Sequence, residues 1–361
     1  MADALKEMFN TKFYELLAIE FNKADKNFHP GNFFKEVTKD IAELSLNQRM
    51  RNTSIVLKKH LPADYKKSVS ILTKTISNLK PNYTSLVFPD FVGLYGYDNF
   101  ELSMEALKYF TQFGSSEFAV REFLKRDFNK TIKVMNKWAE DKNYHIRRLA
   151  SEGSRPRLPW SFKLDEVIKN PRFTQSILEK LKTDSELYVK KSVANHLNDI
   201  SKDNTEWMLQ LLNSWDKSNV DTQWVIKHAS RTLIKKGNVQ TLSLFDFEKN
   251  VKVRIDNFKL NKSKLKLGET LQFEFDIISE KSKPQKLVID FAVHYFKKSG
   301  ELCPKVFKLK ELELKPYETV RVIKKHRFQN FTTRKHYSGK HIIEVLVNGK
   351  AIQNLQFGLT V

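Results

Sequence analysis

The spacing of the apolar residues changes once along this chain, and that change most constrains its fold. Up to about residue 240 apolar side chains recur at i, i+3 and i+4, as in TKFYELLAIEF, PGNFFKEVTKDIAELSL, DYKKSVSILTKTISNL and NFELSMEALKYFTQF. This spacing lines one face of an α-helix. Pro62, Pro81, Pro89 and Gly93 fall mostly between such segments and mark their ends. After GNVQTLSLFDFEKN (237–250) apolar and polar residues alternate instead, in LQFEFDI (271–277), KLVIDFAVHYF (286–296), VFKLKELEL (306–314), ETVRVIKKHRF (318–328) and HIIEVLVNG (341–349). Turn signals separate them at KLGE, KSGE, KPYE, YSGK and NGK. The pattern predicts a mainly α chain: a helical domain over 1–245, then a small all-β, immunoglobulin-like sandwich over 246–361.

A weak repeat runs through the helical part. SEFAVREFL (116–124), YHIRRLASE (144–152), YVKKSVANHL (188–197) and WVIKHASRTL (224–233) align on Val120, Ile146, Val189 and Ile226. Amphipathic segments precede three of them: NKTIKVMNKWAED, FTQSILEKLKTD and NTEWMLQLLNSWD. Each pair reads helix–turn–helix. The anchor spacings of 26, 43 and 37 residues bracket the range of degenerate HEAT-like arrays. Such units stack into a curved solenoid whose concave face is a long binding surface.

Composition narrows the function classes. The chain holds 63 Lys and Arg against 42 Asp and Glu, a net charge of +21. Residues 251–361 carry +12 of this, from 23 basic and 11 acidic residues. Both parts are basic, so a polyanion is the natural partner. No run of about 18 apolar residues suggests a membrane span, and the acidic, helix-patterned start is unlike a signal peptide. We therefore expect a cytoplasmic monomer. A single cysteine, Cys303, leaves the sandwich to rest on apolar packing and excludes Cys-cluster metal sites. No H-E-x-x-H spacing occurs, and His294 and His341 lie on strand patterns as structural residues. Neither a metal nor another cofactor is expected.

One short stretch is out of character. Residues 150–160, ASEGSRPRLPW, hold one Gly, two Pro, two Arg, a Glu and a Trp in a chain with only 11 Gly and 10 Pro. Ending a helix needs the Gly and one Pro. The rest is surplus. Arg155 and Arg157 flank Pro156, which stiffens the turn, and with Arg148 they suit phosphate contacts. Arg121 and Arg231 occupy comparable positions on other second helices, where ordinary surface roles also serve. Trp160, held by Pro159, offers a flat face to a sugar, base or cation, or simply packs the loop. Trp138, Trp207, Trp215 and Trp224 read as core. By spacing alone Arg148 and Glu152 are an ordinary i, i+4 ion pair, and Glu117 is a favourable acid in a first helical turn after GSS. Asn195 aligns with Glu152 in the repeat, and Asp199 lies one turn further along that face. A contact to Lys202 or Asn198, or plain solvation, accounts for Asp199.

The string RRLASEGSRPRLPW, the block ending RMRNTSIVLKKHLPADY and the segment FPDFVGLYGYDNFELSMEALKYFTQFGSSEFAVREFL resemble the AlkC branch of the HEAT-like DNA glycosylases, related to the AlkD type. The resemblance covers about residues 1–240, and some members add an immunoglobulin-like domain. It implies hydrolysis of the N-glycosidic bond of cationic N3-methylated adenine and cytosine in double-stranded DNA, without a deep base-flipping pocket. It also implies that Glu152 lies near the lesion, with Glu117 and Asp199 as further active-site carboxylates.

The chemistry fits that residue set. A base already positive leaves as a neutral molecule and asks little of a general acid. The reaction needs negative charge near the deoxyribose as it becomes cationic, and a base to orient water. Glu152 and Asp199 are the preferred pair, with Glu117 and the wall of Trp160 beside them. Two other classes compete: a non-catalytic reader of bent or damaged DNA, and a protein–protein scaffold that leaves the RPR turn unexplained.

Overall fold

The computed structural model describes residues 5–331 and 334–361. They fall into two units: one reaches Met208 and resumes over Ser214–Ala229, and the other holds Leu209–Asn213 with Ser230–Val361. The helices are α1 (Thr11–Ala24), α2 (Pro30–Val37), α3 (Leu46–His60), α4 (Tyr65–Ile76), α5 (Val87–Tyr95), α6 (Phe100–Phe110), α7 (Glu117–Arg126), α8 (Phe128–Trp138), α9 (Tyr144–Gly153), α10 (Asp165–Lys169), α11 (Gln175–Leu181), α12 (Leu187–Ile200), α13 (Thr205–Ser214), α14 (Val220–Ala229), α15 (Arg231–Lys235) and α16 (Val239–Leu244). Several begin at a side chain that accepts an otherwise orphaned backbone N–H. Asn10 caps α1, Asp64 caps α4, Asp127 caps α8 and Asn143 caps α9. The expected segment PGNFFKEVTKDIAELSL is not one helix. It stops after Val37, where the Thr38 hydroxyl bonds Phe34 O and Asp40 takes a left-handed φ of 56°.

The first unit is built by nearest-neighbour stacking. Along one row α3 contacts α5, α5 contacts α7, α7 contacts α9, α9 contacts α12 and α12 contacts α14. On the other layer α1 touches α4, α4 touches α6 and α8 touches α11. This is the two-layered order of a helical solenoid. The four anchors of the aligned repeat, Val120, Ile146, Val189 and Ile226, are all buried, and their helices α7, α9, α12 and α14 share the first row. The fourth segment, WVIKHASRTL, breaks at Ser230 between α14 and α15. Among the described residues no helix is long and apolar enough to cross a membrane.

The second unit is a sandwich of two sheets. Strands β1 (Val253–Leu260), β3 (Thr270–Ser279) and β6 (Thr319–Arg327) form one, in the order β1-β3-β6. Strands β2 (Lys264–Lys266), β8 (Lys350–Thr360), β7 (Gly339–Val347), β4 (Gln285–Phe296) and β5 (Leu302–Leu314) form the other, in that order. Strand β3 alternates buried and half-buried residues along its whole length, as its sequence alternation demands. Leu271, Phe273, Phe275 and Ile277 meet Ile289, Phe291, Val293, Ile343 and Val345 in the core. Central β4 is buried on both faces, because Val288 on its outer side packs with Ile234, Leu242 and Phe247. That contact draws α15 and α16 into this unit.

One end of the sandwich is lined with histidine. The Tyr295 hydroxyl accepts from Arg334 Nη1 (2.9 Å) and lies 3.0 Å from His326 Nε2. Burial, then the charge of Arg334, hold His326 down to about 4. His326 is thus neutral when folded, while the unfolded ring protonates near 6.5. Stability from this ring is complete above pH 6.5 and is lost as pH falls toward 4. His326 by itself contributes about 1.4 kcal/mol of weakening per pH unit across that window, so His326→Phe is expected to remove that much from the pH dependence of urea unfolding. Parallel pH dependence of wild type and His326→Phe between pH 7 and 5 rules this out.

Candidate active site at a ladder of carboxylates and arginines

Two helix starts and one helix end build the site. Helix α7 begins with Glu117, α12 begins with Leu187 and Tyr188, and α9 ends in the Glu152–Gly153 turn. Gly153 is demanded by packing: a Cβ there would sit 2.6 Å from Val120 Cγ1 of α7. Close approach of α9 to α7 brings their acids together.

The acids alternate with guanidiniums. Arg148 Nη1 donates to Glu117 Oε2 and to Ser115 Oγ (2.9 Å), and its Nη2 lies 3.5 Å from Glu152 Oε1. Arg155 Nη1 donates to the same Glu152 oxygen at 2.6 Å. Its Nε and Nη2 reach Asp199 Oδ2 at 2.9 and 2.7 Å. Lys202 then meets Asp199 Oδ1 at 3.0 Å, and Ser192 Oγ donates to Glu152 Oε2 at 2.6 Å. Burial by itself pulls the Arg148 and Arg155 guanidiniums down. Glu117 and Glu152 beside the first, and Glu152 and Asp199 beside the second, outweigh burial and hold both above the ordinary arginine value. Three carboxylates thus alternate with the guanidiniums of Arg148 and Arg155, with the Lys202 ammonium on Asp199 and the buried guanidinium of Arg121 close by.

Part of this ladder opens into a cavity of about 430 Å³. Glu117, Arg148, Glu152 and Trp160 line it, with Tyr83, Phe118 and Tyr188 as further aromatic wall. Glu117 takes its bonds from Arg148 and Ser115 on Oε2 alone, so Oε1 has no hydrogen bond among the described residues. Burial, then the charge of Glu117, push the Tyr83 hydroxyl up. Arg148 stacks over the Tyr188 ring at 4.9 Å. Trp160 is 59% exposed and has φ of 65°. A bulky non-glycine residue held in the left-handed region costs on the order of 1 kcal/mol or more, so the turn imposes this pose against local preference.

Comparison with known proteins settles the family. Residues 104–233 match the family model described as "DNA alkylation repair enzyme", and residues 254–361 match "Uncharacterised protein YhaZ, C-terminal Ig-like domain". Over 99% of both chains, with 44% identity and a TM-score of 0.94, the structure is similar to Pseudomonas fluorescens alkylpurine DNA glycosylase AlkC bound to DNA containing an abasic site analog. The chain belongs to the AlkC family of DNA alkylation repair glycosylases. It is also 39% identical over 358 residues, 99% of each chain, to the Bacillus subtilis (strain 168) "Uncharacterized protein YhaZ".

Within this AlkC-family chain the structure sorts the residues singled out from sequence. Glu117, Glu152 and Trp160 meet in one cavity. Asp199 does not line it; it lies behind Glu152, 2% exposed, with its oxygens taken by Arg155 and Lys202.

Each arginine of the expected phosphate clamp has an acidic partner. Arg155 is a buried counter-ion of Glu152 and Asp199, and Arg148, half-buried at the cavity wall, pairs with Glu117 and Glu152. Arg157 forms a two-pronged pair with Asp203 at 2.8 and 2.7 Å. Arg121 is not a surface residue at all. It is fully buried, and it donates to Gly153 O (3.1 Å), Arg155 O (2.7 Å) and Phe162 O. It therefore ties both ends of the Trp160 turn to α7. Arg231 is not on the second helix expected for it: it opens α15, after the break of WVIKHASRTL at Ser230, and groups with the sandwich unit.

Sequence reasoning missed Tyr83, Tyr188 and Ser192. Tyr188 carried a usable signal: it is an aromatic residue directly before the anchor Val189, at a helix start, and it is 42% exposed.

Proposed function

We propose that the chain hydrolyses the N-glycosidic bond of cationic N3-alkylated bases, 3-methyladenine and 3-methylcytosine, in duplex DNA, as the first step of base excision repair and without a deep base-flipping pocket. The meeting of Glu117, Glu152 and Trp160 in one cavity, with arginines bracing the acids from behind, carries this reading. A lesion base already positive leaves with the bonding electrons and becomes neutral, so the positive charge passes to the deoxyribose. Glu117 and Glu152 stabilise that charge in a partly dry site, where fixed charges act more strongly than in water. Glu117 Oε1 is the oxygen placed to orient or deprotonate water. Asp199 acts through Arg155, whose positive charge it partly cancels. Trp160 offers a ring face to a cation, worth about 0.5–2 kcal/mol, while the Tyr188 ring holds Arg148. The basic sandwich, +12 over residues 251–361, contributes backbone phosphate contacts, which fits binding that weakens steeply with salt.

The test is release of free base from duplexes carrying either lesion. We expect release by the wild type, with Trp160→Ala slower by about tenfold, the loss of one cation–ring contact. Salt-sensitive binding with no release from either lesion leaves a reader of damaged DNA instead.

A further inference from the structure

A second cavity adjoins the first and shares Trp160 and Phe118 with it. It encloses about 290 Å³, at the small end of the roughly 300–1,000 Å³ usual for small-molecule sites. Its charged and amide lining comes from Asn47, Arg51, Asp90 and Glu122, beside Ser161, and its flat walls from Phe118, Trp160 and Phe162. The ladder of the first cavity supplies none of these four polar groups.

Its charge is the reverse of the protein's. Two carboxylates face one guanidinium, and Arg51 Nη2 is already paired with Asp90 Oδ1 at 3.0 Å. Asp90 is 8% exposed, and its Oδ2 has no hydrogen-bond partner among the described residues. Burial pushes its carboxyl up even with Arg51 beside it. Glu122 is half-buried and forms no ion pair among the described residues. A phosphate meets like charge here. A flat heterocycle bearing an exocyclic amine finds aromatic faces to stack on, carboxylate oxygens and the Asn47 carbonyl to accept its N–H groups, and Arg51 to donate to a ring nitrogen. Both base types in the proposed reaction carry such an amine.

We propose that this cavity binds the free nucleobase after glycosidic cleavage, receiving it across the shared Trp160 from the cavity of Glu117 and Glu152. The proposal rests on the glycosylase reading and adds to it a product site. The neutral base stays beside the enzyme after the bond breaks, and the same site gives inhibition by free base.

Equilibrium dialysis of the full chain, without DNA, against 3-methyladenine tests it. The free base is expected to bind saturably. An analogue dimethylated on the exocyclic nitrogen, which has no N–H to donate, binds about tenfold more weakly, as expected for loss of a hydrogen bond to a charged acceptor. Asp90→Asn and Glu122→Gln each weaken binding by a similar factor. Glu122 is the safer position, since Asp90→Asn also disturbs the pair with Arg51, and a thermal melt of each variant separates lost binding from lost fold. Base release from lesion DNA is measured in parallel. Release without saturable binding of free base, or binding that Glu152→Gln abolishes and Glu122→Gln leaves intact, overturns the product site and keeps the glycosylase. No release from any lesion overturns both.

Discussion

Glu152→Gln is expected to slow base release under single-turnover conditions by on the order of 10²–10³-fold, the range seen when one preorganised electrostatic group is removed from an active site. DNA affinity should stay the same or rise slightly, because a negative charge is removed near a polyanion. Glutamine keeps the shape: its one carbonyl oxygen can still accept from Arg155, which holds Glu152 at 2.6 Å, and its amide NH2 then donates to Ser192, whose hydroxyl can turn to accept. What disappears is charge. The cavity wall is then one negative charge poorer, and the developing sugar cation keeps only Glu117 as a carboxylate facing it. Glu117→Gln should fall in the same direction, and the double variant should lose less than the product of the two single effects, because both acids share Arg148. Asp199→Asn should cost less than Glu152→Gln: Asp199 reaches the cavity only by way of Arg155. Binding to a duplex with an uncleavable abasic analogue provides the control. A Glu152→Gln protein that releases base within threefold of wild type rules out this assignment.

The sequence made the large features legible because they depend on local period. The switch from helical spacing to alternation marks where the sandwich begins, and the anchors Val120, Ile146, Val189 and Ile226 are buried on one row of helices. Glu152 stood out through its odd surroundings, and Gly153 has a plain packing reason in the 2.6 Å approach to Val120. Arginine partners were not legible. The i, i+4 pair of Arg148 with Glu152 exists, at 3.5 Å, but the tighter contact of Arg148 is with Glu117, 31 residues away. Arg155 meets Asp199 across 44 residues and Arg157 meets Asp203 across 46. In an irregular repeat such distances cannot be deduced from spacing, because they depend on how far each helix pair rotates against the next. A basic turn therefore reads as a phosphate clamp until its acids are found. The same irregularity hid Arg121, which looks like an exposed second-helix residue and is the most buried arginine of the site.

Arg121→Lys separates these two readings, and its effect should be large. A guanidinium that contacted phosphate would, on conversion to lysine, leave most of the DNA affinity in place. Arg121→Gln would then lower the slope of log affinity against log salt by about 1. The buried fork has other duties. It satisfies three backbone carbonyls at Gly153, Arg155 and Phe162, lies 5.2 Å from the Phe162 ring centroid, and keeps its charge although burial, then Arg155, push it down to about 10. A lysine cannot span all three acceptors, and each one left unpaired in the interior costs about 1–3 kcal/mol. We expect Arg121→Lys to lower the melting temperature by several degrees and to slow base release by at least about tenfold, since Trp160 sits in a strained left-handed pose only while both ends of its turn are tied down. The salt slope of DNA binding should not change in either variant. A slope reduced by one charge, with melting temperature and release unaltered, restores Arg121 to the DNA surface and removes the clamp.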